Sequence, residues 1–538
     1  MAQSAQGPMT AEADATSALG LLMLAFAGTT LPAPMRERLA GQPAAGVTLF
    51  RYLNVGGAAQ LRALTDDIQQ LAPDGLPFLV ALDQEGGQLA ALGPDATPFA
   101  GPMALGAIGD TDLARRVAEA IGHELRAVGV NVNFAPVCDL ATNPDNRSLG
   151  VRCFGDDPDR VAPLVAATVE GLATAGVAAT LKHFPGGGEA AADPHHELPI
   201  VRASAERFAQ RELLPFAAGL RSGARLVMTG HPAVPALTGD ERPATVSRRV
   251  VTDLLRDRLA FGGVAISDAL DMGAMPQGAE QGAGSIAALV AGQDLLLLSA
   301  DDVQRRRIED AVLRSAAEGV VPQARISAAE RRVARLRASL QPARGDPALV
   351  GSASHRVLAA EVAARAVTLL RDVDGLLPVR LAADQSVGVL MPRPADRTPA
   401  DTSAAVAPAL AAAVRRRHPR VAELLIPQAP AASDIAAAVA WAADHDLLVV
   451  GTIDASFEPG QADLVRALLA TRRPVITVAL RTPWDLAAYP QAGTHLCTYA
   501  IQPPSLEALA AVLWGEAPAP GRLPVATNGP EQPWPICS

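Results

Sequence analysis

A block of polar and glycine residues contains the residue types that proton transfer requires. It reads Lys182-His183-Phe184-Pro185-Gly186-Gly187-Gly188, and Asp193-Pro194-His195 follows after four residues. The glycines permit a mobile loop, and the Asp-x-His spacing lets the carboxylate bond to the imidazole and fix its tautomer. Such a histidine is suited to general acid or base catalysis. An exposed polar loop would contain the same residue types, so both interpretations stay open.

A second candidate is Asp268, which lies directly after the apolar run 264–267. The chain continues with Ala269-Leu270-Asp271-Met272. A carboxylate at the end of a strand can act as a nucleophile, a general base or a metal ligand. Aspartate also fills the N-cap position of helices well. The pattern alone is consistent with either a reactive carboxylate or a helix cap.

Lys182 is the one lysine of the chain, because the 46 lysine and arginine residues include 45 arginines. Where arginine is the default cation, a retained lysine indicates a need for a compact ammonium group on a flexible stem. A planar guanidinium group cannot replace it. Chance survival in an arginine-biased composition is the alternative, and the surroundings of Lys182 must decide.

The composition excludes several classes of protein. A chain of 538 residues is too long for one ordinary core and predicts two or three domains. Aromatic residues at 3% and a net charge of -10 argue against a nucleic-acid partner. The cysteines have no metal-type spacing and are too few for a disulfide framework. We interpret them as buried or incidental thiols and predict no metal site: Cys138, Cys153, Cys497 and Cys537.

The apolar run 18–28 is too short to span a bilayer, which requires ~20 apolar residues. It also lacks the positive flank of a signal peptide, because Glu12 and Asp14 precede it and the first basic residue is Arg36. We therefore predict a buried first strand, no membrane partner and a cytoplasmic location.

The elements that position the candidate residues alternate between short β-rich apolar runs and longer segments of helical period. The runs are residues 21–27, 47–50, 78–83, 130–135, 178–182, 226–230, 264–267 and 294–298. Eight such units predict an α/β fold of the (β/α)8 TIM-barrel type, in which the chemistry lies at the C-terminal ends of the strands. Polar residues follow most of the runs, as such a site requires.

A second series of apolar runs follows the barrel region. It is preceded by a segment of linker composition at residues 339–352 and a helical stretch at 359–370. These runs are residues 387–391, 423–426, 447–451, 475–479 and 495–499. They predict a parallel sheet with helices on both faces. No phosphate-binding G-x-G-x-x-G follows any of them, so we predict no dinucleotide cofactor. The predicted division is a flexible N-terminus 1–15, the barrel 16–338, a linker and connecting helix 339–370, and a smaller α/β sandwich 371–538.

Together these motifs resemble glycoside hydrolase family 3, and within it the NagZ-type β-N-acetylglucosaminidases of bacterial cell-wall recycling. The family pattern Lys-His-Phe-Pro-Gly-His-Gly-Asp-Thr, two residues, Asp-Ser-His aligns without a gap from Lys182 to His195. The other matches in the barrel are Gly46-Val47-Thr48-Leu49-Phe50, Asp83-Gln84-Glu85-Gly86-Gly87, Arg152-Cys153-Phe154-Gly155 and Ser267-Asp268-Ala269-Leu270. Weaker matches at 366–370 and 521–525 resemble the αβα sandwich appended to many members.

The resemblance implies a role for each matched residue. Asp268 would be the nucleophile that forms a glycosyl-enzyme intermediate, and His195 would be the acid/base, oriented by Asp193. Four other residues would hold the sugar hydroxyls: Asp83, Arg152, Lys182 and His183. A double displacement of this kind retains the anomeric configuration. It implies no metal and no cofactor.

The sequence departs from the family pattern at several positions. Family members commonly have His at the position of Gly187, Asp-Thr at Glu189-Ala190, Ser at Pro194 and Arg at Gln88. Because of these changes, the sequence leaves two properties open: closure of the loop and selectivity for the N-acetyl group. The segments Gly186-Gly187-Gly188 and Asp193-Pro194-His195 also resemble family 3 β-glucosidases and β-xylosidases. Those enzymes usually take a glutamate as the acid from elsewhere in the chain, often from the second domain. Glu458 is a candidate for that role.

The resemblance therefore implies a retaining exo-β-N-acetylglucosaminidase that releases terminal N-acetylglucosamine from cell-wall muropeptides or chitooligosaccharides. Its partner would be a small carbohydrate substrate, and the enzyme would be a monomer or homodimer. The alternatives are a family 3 β-glucosidase or β-xylosidase, a β-glycoside phosphorylase, and a sugar-binding protein without turnover.

Overall fold

The computed structural model describes residues 16–340 and 344–526. The segment 1–15, predicted to be flexible, and Cys537 lie outside the described residues. Cys138, Cys153 and Cys497 are buried free thiols, as predicted. Within the described ranges, no helix has the length and apolar character that a membrane crossing requires.

The first part of the chain forms an eight-stranded parallel barrel. The barrel strands are β1 Leu22–Leu24, β2 Gly46–Thr48, β3 Leu79–Leu82, β6 Val132–Asn133, β7 Ala178–Phe184, β8 Leu226–Thr229, β9 Val264–Ser267 and β10 Leu296–Leu297. Between β3 and β6, strands β4 Gln84–Gly86 and β5 Leu89–Ala90 form a separate hairpin. The barrel order is β10-β1-β2-β3-β6-β7-β8-β9, and an isolated bridge from Ile266 to Leu295 almost closes the ring. Each predicted run overlaps one barrel strand, so the predicted (β/α)8 fold is confirmed. The antiparallel pair β4-β5 was not predicted.

Helices surround this barrel, and several begin after an aspartate. Asp110, Asp157 and Asp301 each accept a hydrogen bond from a backbone N–H of the following first turn, which caps the helix. The α- and π-helices are Ala33–Gly41, Arg51–Asn54, Ala58–Gln69, Pro102–Ile108, Thr111–Ala127, Pro158–Thr174, Ala205–Arg207, Phe208–Glu212, Leu213–Arg221, Pro235–Thr238, Arg249–Arg258, Gln281–Ala291, Asp302–Ala317 and Gln323–Ser339.

A second sheet follows the barrel. Its strands are β11 Thr368–Asp372, β12 Val387–Pro392, β13 Val421–Ile426, β14 Leu447–Thr452, β15 Val475–Ala479 and β16 Thr494–Cys497, in the order β11-β16-β15-β14-β12-β13. The helices are Ala353–Ala366, Leu410–Arg415, Ala432–Ala442, Pro459–Ala470, Asp485–Ala488 and Pro503–Leu513. Successive residues of β12 enter different apolar clusters, Val389 on one face and Leu390 on the other, so both faces are covered. The predicted smaller α/β sandwich is confirmed.

One predicted element of this second region is wrong. The helical stretch predicted at 359–370 ends at Ala366, and Thr368–Asp372 is instead strand β11, antiparallel to β16. The sheet is therefore mixed rather than wholly parallel. Val367 and Thr368 are β-branched, which favours extended backbone. The edge of β16, more than 120 residues later, supplies the hydrogen bonds that decide the outcome.

The second region docks on the hairpin β4-β5 at the top of the barrel. Thr402 N donates to Gln88 O over 2.9 Å, and Ala90 N donates to Thr402 Oγ1 over 3.1 Å. Gln502 Nε2 donates to Gly87 O over 2.6 Å. These contacts place the loop of residues 399–402 over the C-terminal ends of the barrel strands.

A buried charged cluster supports this loop from behind. Arg481 Nη1 lies 3.0 Å from Asp401 Oδ2 and 3.5 Å from Asp454 Oδ2. Asp485 accepts a hydrogen bond from Thr452 Oγ1 over 2.6 Å. Burial, together with the nearby Asp454, raises the pKa of Asp485 to about 6.

The raised pKa of Asp485 predicts a pH-dependent stability. Because the folded protein holds this proton more tightly than the unfolded chain, the stabilisation is complete below the ordinary aspartate pKa and is lost as pH rises through about 6. We expect Asp485→Asn to raise the Tm by about 2–4 °C at pH 7.5, and much less at pH 4.5. Calorimetry at both pH values tests this.

The control for this prediction is Asp446→Asn. Hydrogen bonds from the backbone N–H and the hydroxyl of Ser386 lower the pKa of that exposed carboxyl, so its removal should not stabilise the protein at pH 7.5. An equal Tm gain in both variants would show that charge reduction in general, rather than burial of Asp485, is responsible.

Candidate active site

A cavity of about 520 Å³ opens at the C-terminal ends of the barrel strands. Its lining comes from the segments that follow β2, β3 and β6 to β10, and from residues 399–402 of the second region. Six of the seven predicted site residues line it: Asp83, Arg152, Lys182, His183, His195 and Asp268. Asp193 lies behind His195, to which it is bonded.

Two cations and two carboxylates form a buried network at one side of the cavity. Lys182 Nζ lies 2.5 Å from Asp83 Oδ1 and 2.6 Å from Glu85 Oε1. Arg152 donates to both oxygens of Glu85, over 2.9 and 2.8 Å. The Asp83 side chain is 23% exposed and that of Glu85 only 1%, so Asp83 is the carboxylate presented to a ligand. Glu85 instead fixes the two cations.

The charges of this network stabilise one another. Burial alone would raise the pKa of Glu85, but Arg152 and Lys182 lower it to about 2. Burial alone would lower the pKa of Lys182, but Asp83 and Glu85 raise it above its ordinary value. Both groups are therefore ionised, and the network presents a fixed pattern of charged donors and acceptors at the wall of the cavity.

This geometry predicts that Lys182→Arg folds normally and binds substrate poorly. The Lys182 side chain is 1% exposed, and its ammonium group contacts two carboxylates. A larger guanidinium would therefore extend into the space that the substrate is expected to occupy. We expect KM to rise about tenfold or more, as the loss of a buried charged hydrogen bond implies. Steady-state kinetics and the Tm test this, with the exposed Arg306→Lys as the control. Full activity would favour chance retention of the lysine.

His183 and the glycine loop share one buried carboxylate that the sequence motifs did not identify. Asp139 Oδ2 lies 2.7 Å from His183 Nδ1 and accepts from His183 N over 3.0 Å. Asp139 Oδ1 accepts from Gly187 N over 2.6 Å. Burial would raise the pKa of Asp139, but His183 and these N–H donors lower it. Asp139 therefore orients the side chain of His183 and anchors the loop that leads to His195.

Two of the three consecutive glycines have different steric environments. A Cβ atom at Gly188 would lie 1.7 Å from Leu140 O, so that position requires glycine. A Cβ atom at Gly187 would meet nothing closer than Asp139 Oδ1 at 3.7 Å. The histidine usual in the family pattern is thus absent from a position where a Cβ atom would make only ordinary contact.

His195 and Asp193 form the predicted pair. His195 Nδ1 lies 2.6 Å from Asp193 Oδ1, and His195 N donates to the same oxygen over 3.0 Å. Burial would raise the pKa of Asp193, but the bonds from His195 lower it. Because Nδ1 is hydrogen-bonded to the carboxylate, Nε2 is the ring nitrogen that could exchange a proton with a ligand.

Asp268 lies at the exit of β9, bonded to the neighbouring strand. Its N–H donates to Thr229 O over 2.9 Å, and its Oδ1 accepts from Ala269 N over 2.8 Å. Burial would raise the pKa of Asp268, but the nearby His183 and the Ala269 N–H lower it. The next helical turn begins only at Gly278, so Asp268 caps no helix. The carboxylate is therefore ionised and faces the cavity.

The loop of His195 is tied to the segment that carries Asp268. Gly273 N donates to His195 O over 3.0 Å, and Ala274 N donates to Pro194 O over 3.1 Å. These bonds hold the acid/base candidate and the nucleophile candidate in one cavity. Glu458 is not among the described residues that line it, and instead forms an ion pair with Arg397.

Residues 21–336, more than half of the chain, match the glycosyl hydrolase family 3 N terminal domain. The chain belongs to glycoside hydrolase family 3. It is 33% identical over 560 aligned residues to beta-hexosaminidase A of Pseudoalteromonas piscicida, with 93% of this chain and 92% of that protein covered. It is 30% identical to the beta-N-acetylglucosaminidase/beta-glucosidase of Cellulomonas fimi, with 89% of each covered.

A solved family 3 structure shows the same architecture. The beta-N-acetylglucosaminidase from Paenibacillus sp. str. FPU-7 superposes with a TM-score of 0.90 at 33% identity, covering 96% of this chain and 99% of that one. The family resemblance therefore extends through the second region, where the sequence motifs were weak. Three cavity or supporting residues had no role assigned from sequence: Glu85, Asp139 and His231.

Proposed function

We propose that the protein is a retaining exo-β-N-acetylglucosaminidase. The observation that carries the proposal is one cavity that contains an ionised carboxylate, Asp268, and a hydrogen-bonded His195-Asp193 pair. The names of the relatives support the sugar: a beta-hexosaminidase and a beta-N-acetylglucosaminidase, each alignable over most of this chain. The terminal sugar would bind through its hydroxyls to Asp83, Arg152, Lys182 and His183.

The first chemical step would form a covalent intermediate. The free oxygen of Asp268 attacks the anomeric carbon, and a bond forms between them as the glycosidic C–O bond breaks. His195 gives its Nε2 proton to the departing oxygen, so the leaving group departs as a neutral alcohol. Asp193, bonded to Nδ1, keeps Nε2 directed at that oxygen.

The second step would reverse these roles. His195 Nε2 takes a proton from a water molecule while the water oxygen bonds to the anomeric carbon and the bond to Asp268 breaks. Two inversions give net retention, so the product first released is the β-anomer. The natural substrates would be chitooligosaccharides or muropeptide fragments with a terminal β-linked N-acetylglucosamine.

The decisive experiment compares an aryl β-N-acetylglucosaminide with the matching β-glucoside, with and without phosphate, and follows the product anomer by NMR. We expect preference for the N-acetyl substrate, no need for phosphate, and β-anomer first. Strict phosphate dependence would indicate a phosphorylase instead, and an initial α-product would exclude double displacement. Glycan binding without any product would indicate a binding protein.

β-Glucosidase activity is the second candidate. The Cellulomonas fimi relative is named for both activities, and Gly187, which lines the cavity, differs from the histidine of the family pattern. A higher kcat/KM for the glucoside in the same comparison would make this the principal activity.

A further inference from the structure

His231 lies beside the proposed nucleophile and has no part in the steps above. It follows strand β8 in the segment Gly230-His231, is 1% exposed and lines the cavity. Both of its ring nitrogens have partners: Nε2 lies 3.0 Å from Ala269 O, and Nδ1 lies 2.7 Å from Thr245 Oγ1. The ring therefore bridges two segments of the barrel rim.

The partners fix the tautomer of this ring. Ala269 O can only accept, so Nε2 carries a proton and donates it. Burial lowers the pKa of His231, which favours the neutral ring with its proton on Nε2. Nδ1 then shares the one hydroxyl proton of Thr245 with Gly230 O, since each lies 2.7 Å from Thr245 Oγ1. Thr245 is itself held by Gln293, whose Nε2 donates to Thr245 O over 3.2 Å. The orientation of the His231 ring is thus fixed by contacts at both of its nitrogens.

The atoms next to Asp268 are held from three directions. His231 holds the carbonyl of Ala269, and Leu270 N, on the same peptide unit, donates to Leu297 O over 3.2 Å. Ala269 N donates to Asp268 Oδ1. The 269–270 peptide shares the Cα of Ala269 with the 268–269 peptide, which carries the N–H bonded to Asp268 Oδ1, so anchoring the first peptide restricts displacement of the second.

We infer that His231 is a positioning residue that aims the carboxylate of Asp268 through Ala269, leaving Oδ2 as the attacking oxygen. The inference rests on the proposed role of Asp268 as nucleophile. A shift of the carboxylate by a fraction of an ångström would slow bond formation to the anomeric carbon without changing the groups that bind the sugar.

Three full-length variants test this. His231→Leu removes the donor to Ala269, whereas His231→Gln places an amide N–H near the position of Nε2. Thr245→Val releases Nδ1 and also removes the hydroxyl that donates to Gly230 O over 2.7 Å. Thr245 is not among the described residues that line the cavity, so this change leaves the residues that line the cavity in place. The measurements are kcat and KM on an aryl β-N-acetylglucosaminide, the Tm, and the rate at which a 5-fluoroglycosyl fluoride labels the protein, followed by mass spectrometry.

We expect His231→Leu to lower kcat and the labelling rate about 30- to 100-fold with KM within about twofold. His231→Gln should recover most of that loss, and Thr245→Val should show a smaller loss of the same kind. A rise in KM with unchanged kcat would overturn the inference, since His231 would then contact substrate directly. Unchanged kinetics in His231→Leu would also overturn it.

The position of the label in the protein distinguishes failure of this inference from failure of the proposed function. If the wild-type label lies on Asp268 and the variants behave normally, only the role of His231 fails. If the label lies on another residue, the proposed nucleophile itself is wrong. Should His231→Leu not fold, Thr245→Val with unchanged kcat and labelling rate would still overturn the inference.

Discussion

Asp268→Asn should fold as the wild type does and lose turnover by about 10⁴-fold or more, the scale seen when a nucleophile is removed. Asparagine preserves the side-chain shape and can still accept the hydrogen bond that Ala269 N makes over 2.8 Å. A neutral amide cannot form the ester bond to the sugar, so KM should change little while kcat collapses. Steady-state kinetics on an aryl β-N-acetylglucosaminide, with the Tm as the folding check, measure both.

The control is Asp271→Asn, because Asp271 is a second carboxyl of the same cavity. Burial raises the pKa of Asp271, whereas that of Asp268 is lowered, so the ionised form that attack requires is favoured more at Asp268 than at Asp271. We expect a far smaller loss from Asp271→Asn. If Asp271→Asn were inactive and Asp268→Asn retained activity, the nucleophile assignment would pass to Asp271.

Chemical rescue provides an independent check on the same assignment. Asp268→Gly leaves space at the exit of β9 into which azide can enter. Azide would attack the anomeric carbon from the face that the carboxylate used, so the product should be the α-glycosyl azide, formed by a single inversion. A β-azide, or no rescue with an activated leaving group, would contradict a nucleophile at this position.

The barrel could be predicted because its signals are local. Most barrel strands lie in buried apolar runs, and polar residues stand at the C-terminal end of β7 and directly after β9, where this fold places its chemistry. Lys182, His195 and Asp268 could therefore be placed together from spacing and family resemblance. Strand β11 could not, because its partner β16 lies far along the chain and local helical period pointed the other way.

The supporting residues were missed for a related reason. Asp139 contacts a histidine 44 positions later, and Glu85 contacts an arginine 67 positions later. His231 acts on a carbonyl 38 positions away. An isolated buried carboxylate or imidazole has no sequence signature that distinguishes it from an ordinary polar residue near a strand. The loop of residues 399–402 is held at the cavity by contacts that are distant in sequence, such as that of Thr402 with Gln88 of the hairpin.

The His195-Asp193 pair predicts an effect that depends on the leaving group. His195→Ala should lower kcat about 10²- to 10⁴-fold on a disaccharide such as chitobiose, whose leaving oxygen needs a proton. A 2,4-dinitrophenyl leaving group departs as a stable anion, so the first step on that substrate should be nearly normal in the variant. The intermediate should then accumulate, because no base activates water, and a burst of dinitrophenolate should precede slow turnover.

Azide should restore breakdown of the intermediate in His195→Ala, since azide is already an anion and needs no base. The product should be the β-glycosyl azide.

Asp193→Asn should give the same pattern with a smaller loss. The His195 ring keeps Nε2 for proton transfer but loses the ionised partner 2.6 Å from Nδ1. The exposed neighbour His196→Ala is the matched control. If instead Glu458→Gln gave the leaving-group dependence and His195→Ala did not, the acid would belong to the second region, and the ion pair of Glu458 with Arg397 would have to open for catalysis.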